Sequence, residues 1–100
     1  MRRYAARTDG NHAEIRQAFR ALGAYVVDTS HVGAGFPDLI VGTRGRWLFV
    51  EVKDGSKPPS RRKLTADQMV LHAEVQRVGC TVHVVETADQ AYALLGAKAA

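Results

Sequence analysis

The sequence is poor in the residues that staple small domains together. It has one cysteine, Cys80, in 100 residues, so neither an intrachain disulfide nor a cysteine-based zinc site can form. That scarcity is the pattern of a reducing, intracellular compartment. Long apolar runs are missing too. None nears the roughly 20 residues a bilayer-spanning helix needs, and no apolar stretch follows the basic start Met1-Arg2-Arg3-Tyr4 as it would in a secretory signal. A soluble, cytoplasmic protein is expected, and the alanine- and arginine-rich composition points to a GC-rich bacterial or phage-infected cell. Aromatic residues make up only 7% of the chain, and their spacing shows no pattern for stacking on single-stranded bases. Acidic excess is absent: 14 Lys+Arg against 10 Asp+Glu leave a formal charge of +4, which suits an anionic partner such as nucleic acid without demanding one.

What is present is a folded domain. The hydrophobic fraction is 46%, outside the disordered range, and the length fits one domain, 1–100, with a core at about 11–95 behind a basic arm at 1–10. So short a chain buries a modest core, and a second copy would help it. Asn11 and Glu14 have capping-box spacing, and Ile15, Phe19 and Leu22 recur with helical period up to Gly23. Tyr25-Val26-Val27 reads as a short strand. The glycine-rich turn 31–37 separates it from a strand at 38–42, and Thr43-Arg44-Gly45 makes a tight turn into a third strand at 46–53. After an irregular stretch at 54–63, Thr65 and Gln68 form a second capping box, with Leu64 and Met69 at staple spacing and Leu71, Val75 and Val78 as an apolar stripe. A strand at 81–85 and a helix at about 87–95 complete the order α-β-β-β-α-β-α, an α/β fold with a mixed sheet flanked by helices.

The chemistry sits on the hairpin. Residues two apart on a strand share a face, so Trp47, Phe49, Glu51 and Lys53 point one way and Leu48, Val50 and Val52 the other. Antiparallel pairing through the short turn places Asp38 opposite the end of the third strand, where Glu51 and Lys53 lie. Two carboxylates so close repel each other, and a hard cation relieves that. Mg²⁺ needs only one or two carboxylates plus a carbonyl and keeps several waters. It would polarise a phosphoryl oxygen, with Lys53 placed to stabilise charge on the phosphate. Taken alone, Glu51-Val52-Lys53 also fits a surface ion pair, and Asp38 also fits turn chemistry.

The segments Gly35-Phe36-Pro37-Asp38-Leu39-Ile40-Val41, Trp47-Leu48-Phe49-Val50-Glu51-Val52-Lys53 and Leu64-Thr65-Ala66-Asp67-Gln68 together resemble the PD-(D/E)XK nuclease superfamily, and within it the VRR-NUC family of small nucleases. The resemblance spans about residues 11–86. It implies a restriction-endonuclease-like core, dependence on Mg²⁺ or Mn²⁺, and cleavage of structured DNA. It implies Asp38 and Glu51 as metal carboxylates, the Val52 carbonyl as a further ligand and Lys53 as the catalytic lysine. Glu14 on the first helix would complete the metal site, and Gln68 would join the catalytic group. Both also fit simple helix capping.

The run 57–63 carries Lys57, Arg61, Arg62 and Lys63, directly after the third strand. It reads either as a solvated loop or as a DNA-backbone contact, with Arg2, Arg3 and Arg7 adding to it from the arm. His31 is a loop histidine near the glycine-rich turn and a second phosphate candidate. His12, His72 and His83 lack metal-ligand spacing, and Cys80 reads as a buried, inert residue. The expected substrate is branched DNA such as a Holliday junction, whose two-fold symmetry calls for a homodimer. A nuclease acting on simple DNA or RNA and a non-catalytic DNA-binding module are the alternatives.

Overall fold

The computed structural model describes residues 9–96; the arm carrying Arg2, Arg3 and Arg7 lies outside the described residues. The elements are α1 His12–Ala21, β1 Tyr25–Asp28, β2 Leu39–Thr43, β3 Arg46–Val52, a short 3-10 turn Pro59–Arg61, α2 Ala66–Arg77, β4 Val82–Val85 and α3 Ala88–Leu94. The order α-β-β-β-α-β-α is the one the sequence implies. The four strands lie in one sheet in chain order. β1–β2 and β2–β3 pair antiparallel, whereas β3–β4 are parallel, because α2 carries the chain back across the sheet between them. The β2–β3 turn uses left-handed backbone at Arg44 and Gly45 (φ 49° and 78°), which matches the twist of a tight hairpin.

One face of the sheet holds the core. Leu39, Val41, Val50 and Val52 are at most 1% exposed and pack under Ile15 and Phe19 of α1 and Ala91 of α3. A polar cluster ties α1 to β1. The Asp28 carboxylate accepts hydrogen bonds from His12 Nε2 (3.0 Å), Arg16 Nη1 (2.7 Å) and both the N–H and hydroxyl of Ser30 (3.0 and 2.6 Å). Burial alone would raise its pKa, but the bonds from Ser30 and His12 outweigh burial and hold Asp28 below the usual carboxylate range.

The helix starts divide into one that follows its capping signal and one that does not. Thr65 accepts the Gln68 N–H at 3.2 Å and Gln68 Oε1 accepts the Thr65 N–H at 2.9 Å, a complete capping box. Asn11 makes no side-chain cap. Its Nδ2 instead donates to the Lys53 and Glu86 carbonyls at 3.0 and 2.9 Å, and Glu14 is left exposed. The expected Asn11–Glu14 box is therefore absent: two carbonyls at the ends of β3 and β4 take the amide, and Asn11 has near-helical backbone (φ −94°, ψ 8°) where a capping residue needs an extended one.

The other face of the sheet carries α2, and here the sequence misleads. α2 buries none of its residues. Leu71 and Val75 are half-buried, while Met69, Val70 and Val78 are 59, 65 and 63% exposed, so the expected staple and stripe do not enter a core. The space beneath α2 holds Glu51, Lys53, Gln68 and His72, and that polar filling displaces an apolar seam. Cys80, expected to be buried, is exposed in the turn that leaves α2. Strand ends shift slightly as well. Asp38 precedes β2, and Lys53 follows β3 while its N–H still bonds the Val85 carbonyl at 3.0 Å.

The glycine-rich loop docks onto the first turn of α2 through Gly35. This residue has φ +80°, and a Cβ there would collide with the Asp67 carbonyl and meet the Gln68 nitrogen at 2.8 Å. Gly79, at the end of α2, has φ +86° and open space around it. Gly79→Ala is therefore expected to lose only the left-handed backbone penalty, about 1–2 kcal/mol. Gly35→Ala adds a backbone clash worth about 1–3 kcal/mol more. Chemical denaturation of the two variants checks this, and equal losses would contradict the close approach.

Candidate active site

The site forms where β2 begins and β3 ends. Register places Leu39 opposite Val50, which sets Asp38 opposite Glu51. Asp38 Oδ2 accepts the Val52 N–H at 2.8 Å, so this carboxylate completes the sheet edge that β2 has just left. Extended backbone turns a residue's N–H and C=O to the same edge, and the Val52 carbonyl therefore faces Asp38 and not β4. Glu51 is 0% exposed and Lys53 8%. Both stand on the face covered by α2, as strand alternation requires.

Gln68 joins these groups. Its Nε2 donates to Glu51 Oε2 at 2.9 Å, and its Oε1 accepts from Lys53 Nζ at 2.8 Å. The same Oε1 closes the capping box with Thr65. The two roles open in the sequence thus coexist in one side chain, whose position is set by the helix start. One turn on, His72 Nε2 lies 3.3 Å from Glu51 Oε1. Burial and then the Lys53 charge lower the His72 pKa, which favours the neutral ring.

Glu51 is the strained member. Burial first, then a hydrogen bond with Asp38 and the Asp38 charge, push its pKa up to about 9, with Asp9 adding to the rise and Lys53 opposing it. The shift favours the protonated form of Glu51. Among the described residues no group of three or more His, Cys, Asp or Glu side chains gathers at one point. The donor set is two hard carboxylates beside a carbonyl edge. That fits Mg²⁺ or Mn²⁺, which take few protein ligands and retain water, and does not fit a zinc cage.

The other predicted residues are dispersed. Glu14 is exposed on α1 and His31 is exposed in the glycine-rich loop; among the described residues neither bonds to the carboxylates. In the basic loop Arg61 and Lys63 are exposed. Arg62 is engaged inside the domain, donating from Nε to the Lys57 carbonyl at 2.6 Å and pairing with Glu86 at 3.1 Å. Lys57 Nζ lies 3.8 Å from Asp9. Three residues close to the site escape a sequence reading: His72, Asp9 and Asn11. The i, i+4 spacing of Gln68 and His72 was the available signal for the first. The other two are brought in by the packing of α1 against the strand ends, and no local pattern announces them.

A solved structure described as a VRR_NUC domain matches this chain with a TM-score of 0.64 and 33% identity, covering 87% of this chain and 92% of that one. No family model and no curated protein matches.

The carboxylate pair has a pH signature in the metal-free protein. Glu51 keeps its proton in the folded state up to about 9, against an ordinary value of 4.5. The folded chain binds the extra proton between those values, so this contribution to stability is full below 4.5 and is lost as pH rises through about 9. In chelator, the thermal midpoint of the wild type should fall across that window relative to Glu51→Gln, whose amide mimics the protonated acid. Parallel pH profiles would contradict the raised Glu51 pKa.

Proposed function

This chain belongs to the VRR-NUC family, a nuclease-fold domain, and on that footing we propose that it is a metal-dependent endonuclease that hydrolyses phosphodiester bonds of branched DNA. The observation that carries the reading is the buried Asp38–Glu51 pair with Lys53 held beside it by Gln68. Mg²⁺ or Mn²⁺ at Asp38, Glu51 and the Val52 carbonyl would supply Lewis-acid polarisation of a phosphoryl oxygen and acidify water for attack. Burial of Glu51 keeps these charges in a medium where they act strongly. Gln68 fixes Lys53 Nζ on the carboxylate side of α2, where its positive charge meets the charge that builds on the phosphate. The His72 ring restrains the second Glu51 oxygen. Arg61 and Lys63, exposed beyond β3, are the residues free to contact backbone phosphates, with Lys57 at the same loop, whereas Arg62 is spent on shaping the loop through Glu86. Glu14 on α1 is proposed as a further metal carboxylate and His31 as a phosphate contact.

The substrate reading rests on symmetry. One site per chain cuts one strand, and paired cuts in a four-way junction need two chains related by a two-fold axis. The exposed Met69, Val70 and Val78 of α2 supply apolar surface that a homodimer would cover.

Incubation of the protein with junction, flap, blunt duplex and RNA substrates, with and without Mg²⁺ or Mn²⁺, tests the reading. Expected are metal-dependent nicks in branched DNA, a loss of at least about 100-fold in Asp38→Asn, Glu51→Gln and Lys53→Ala, and a dimer by sedimentation. Undiminished cleavage by the Asp38 and Glu51 variants would refute the site; cleavage of RNA or blunt duplex alone would refute the substrate.

A further inference from the structure

The sheet face that carries Glu51 continues past α2 to an exposed aromatic pair. Tyr25 and Trp47 are 67 and 61% exposed. They lie far apart in sequence, yet Tyr25 pairs with Gly42 and Gly42 with Trp47, so all three form one row across β1, β2 and β3. The rings meet edge to face, with centroids 6.2 Å apart and planes at 72°. Gly42 makes this possible: a Cβ there would sit 2.8 Å from the Trp47 ring. Around them is an open depression of about 390 Å³ lined by Tyr25, Gly42, Gly45, Arg46 and Trp47, with Arg44 and Arg46 exposed at the hairpin turn.

Alternation links this row to the carboxylates. The next row is Val27–Ile40–Phe49, and Asp38 and Glu51 follow it. Four residue steps along β3 take Trp47 to Glu51, about 13 Å. An apolar floor, with Val27 38% exposed, therefore runs from the carboxylates to an aromatic platform. Exposed aromatic faces are the chemistry on which unpaired bases of a nucleic acid stack. A second copy is a poorer occupant: two aromatic side chains offer at most about 300–500 Å², under the roughly 800 Å² per partner of a standard interface.

We propose that Tyr25 and Trp47 form a stacking platform for an unpaired nucleobase of the DNA strand whose phosphodiester lies at Asp38 and Glu51. The proposal rests on the endonuclease reading and sharpens it: the platform selects DNA with unpaired nucleotides about 13 Å from the cut. Spacing along the chain shows no aromatic pattern for stacking; strand register is what brings the two rings together.

Trp47 is the only tryptophan in the chain, so its fluorescence reports the platform without turnover. In chelator, a short oligothymidylate should quench the emission saturably, whereas a blunt, fully paired hairpin of equal charge should not. Tyr25→Leu, at an exposed position, should weaken the oligothymidylate by about 10-fold, the value of one lost base stack. Trp47→Phe, followed by gel shift, should bind nearly as well as wild type while Trp47→Leu does not. Absence of quenching, equal quenching by the hairpin, or a blue shift with rising protein concentration in the absence of DNA (a second copy covering the ring) would each overturn the platform. Cleavage without quenching would overturn the platform and leave the nuclease reading; quenching without cleavage in any divalent metal would support the platform and overturn that reading.

Discussion

Two carboxyl groups held against each other, Asp38 and Glu51, set the terms for the rest of the structure. Glu51 is buried under α2, and its neighbours raise its pKa far above the ordinary value. Burial of such a group is costly unless each oxygen is satisfied. The Gln68 amide, the His72 ring and the Asp38 carboxyl satisfy it, and each depends on a larger feature. Gln68 is held by the capping box that starts α2, Asp38 by the Val52 N–H, and the start of α2 by the close approach of Gly35.

The two sides of the sheet answer to different demands. The face under α1 and α3 is apolar and close-packed, and it supplies the stability of the domain. The face under α2 gives up apolar packing for a polar cluster, which is why α2 buries none of its residues and shows Met69, Val70 and Val78 to the outside. A small domain can accept this because the Asp28 cluster and the Asn11 amide pin α1 to the strand ends, so the scaffold holds without help from the face under α2.

Much of this was legible in the sequence, and the limits have physical causes. Strand alternation and the short Arg44–Gly45 turn were enough to bring Asp38, Glu51 and Lys53 together, and Thr65 with Gln68 was a true capping box. The same pattern at Asn11 and Glu14 failed, because a competing pair of carbonyls 42 and 75 residues away takes the Asn11 amide. The apolar stripe of α2 and the burial of Cys80 failed because periodicity reports that a face is apolar and not what covers it. Tyr25 and Trp47 became neighbours only through strand register, which spacing along the chain cannot report.

We propose that a divalent cation displaces the proton that Glu51 holds beside Asp38. Calorimetric titration of Mn²⁺ into the protein near neutral pH, repeated in buffers of different ionisation enthalpy, measures that exchange directly. The prediction is binding with release of about one proton per site in the wild type and no such release in Glu51→Gln. Binding with no proton release, or release unchanged in Glu51→Gln, would contradict it.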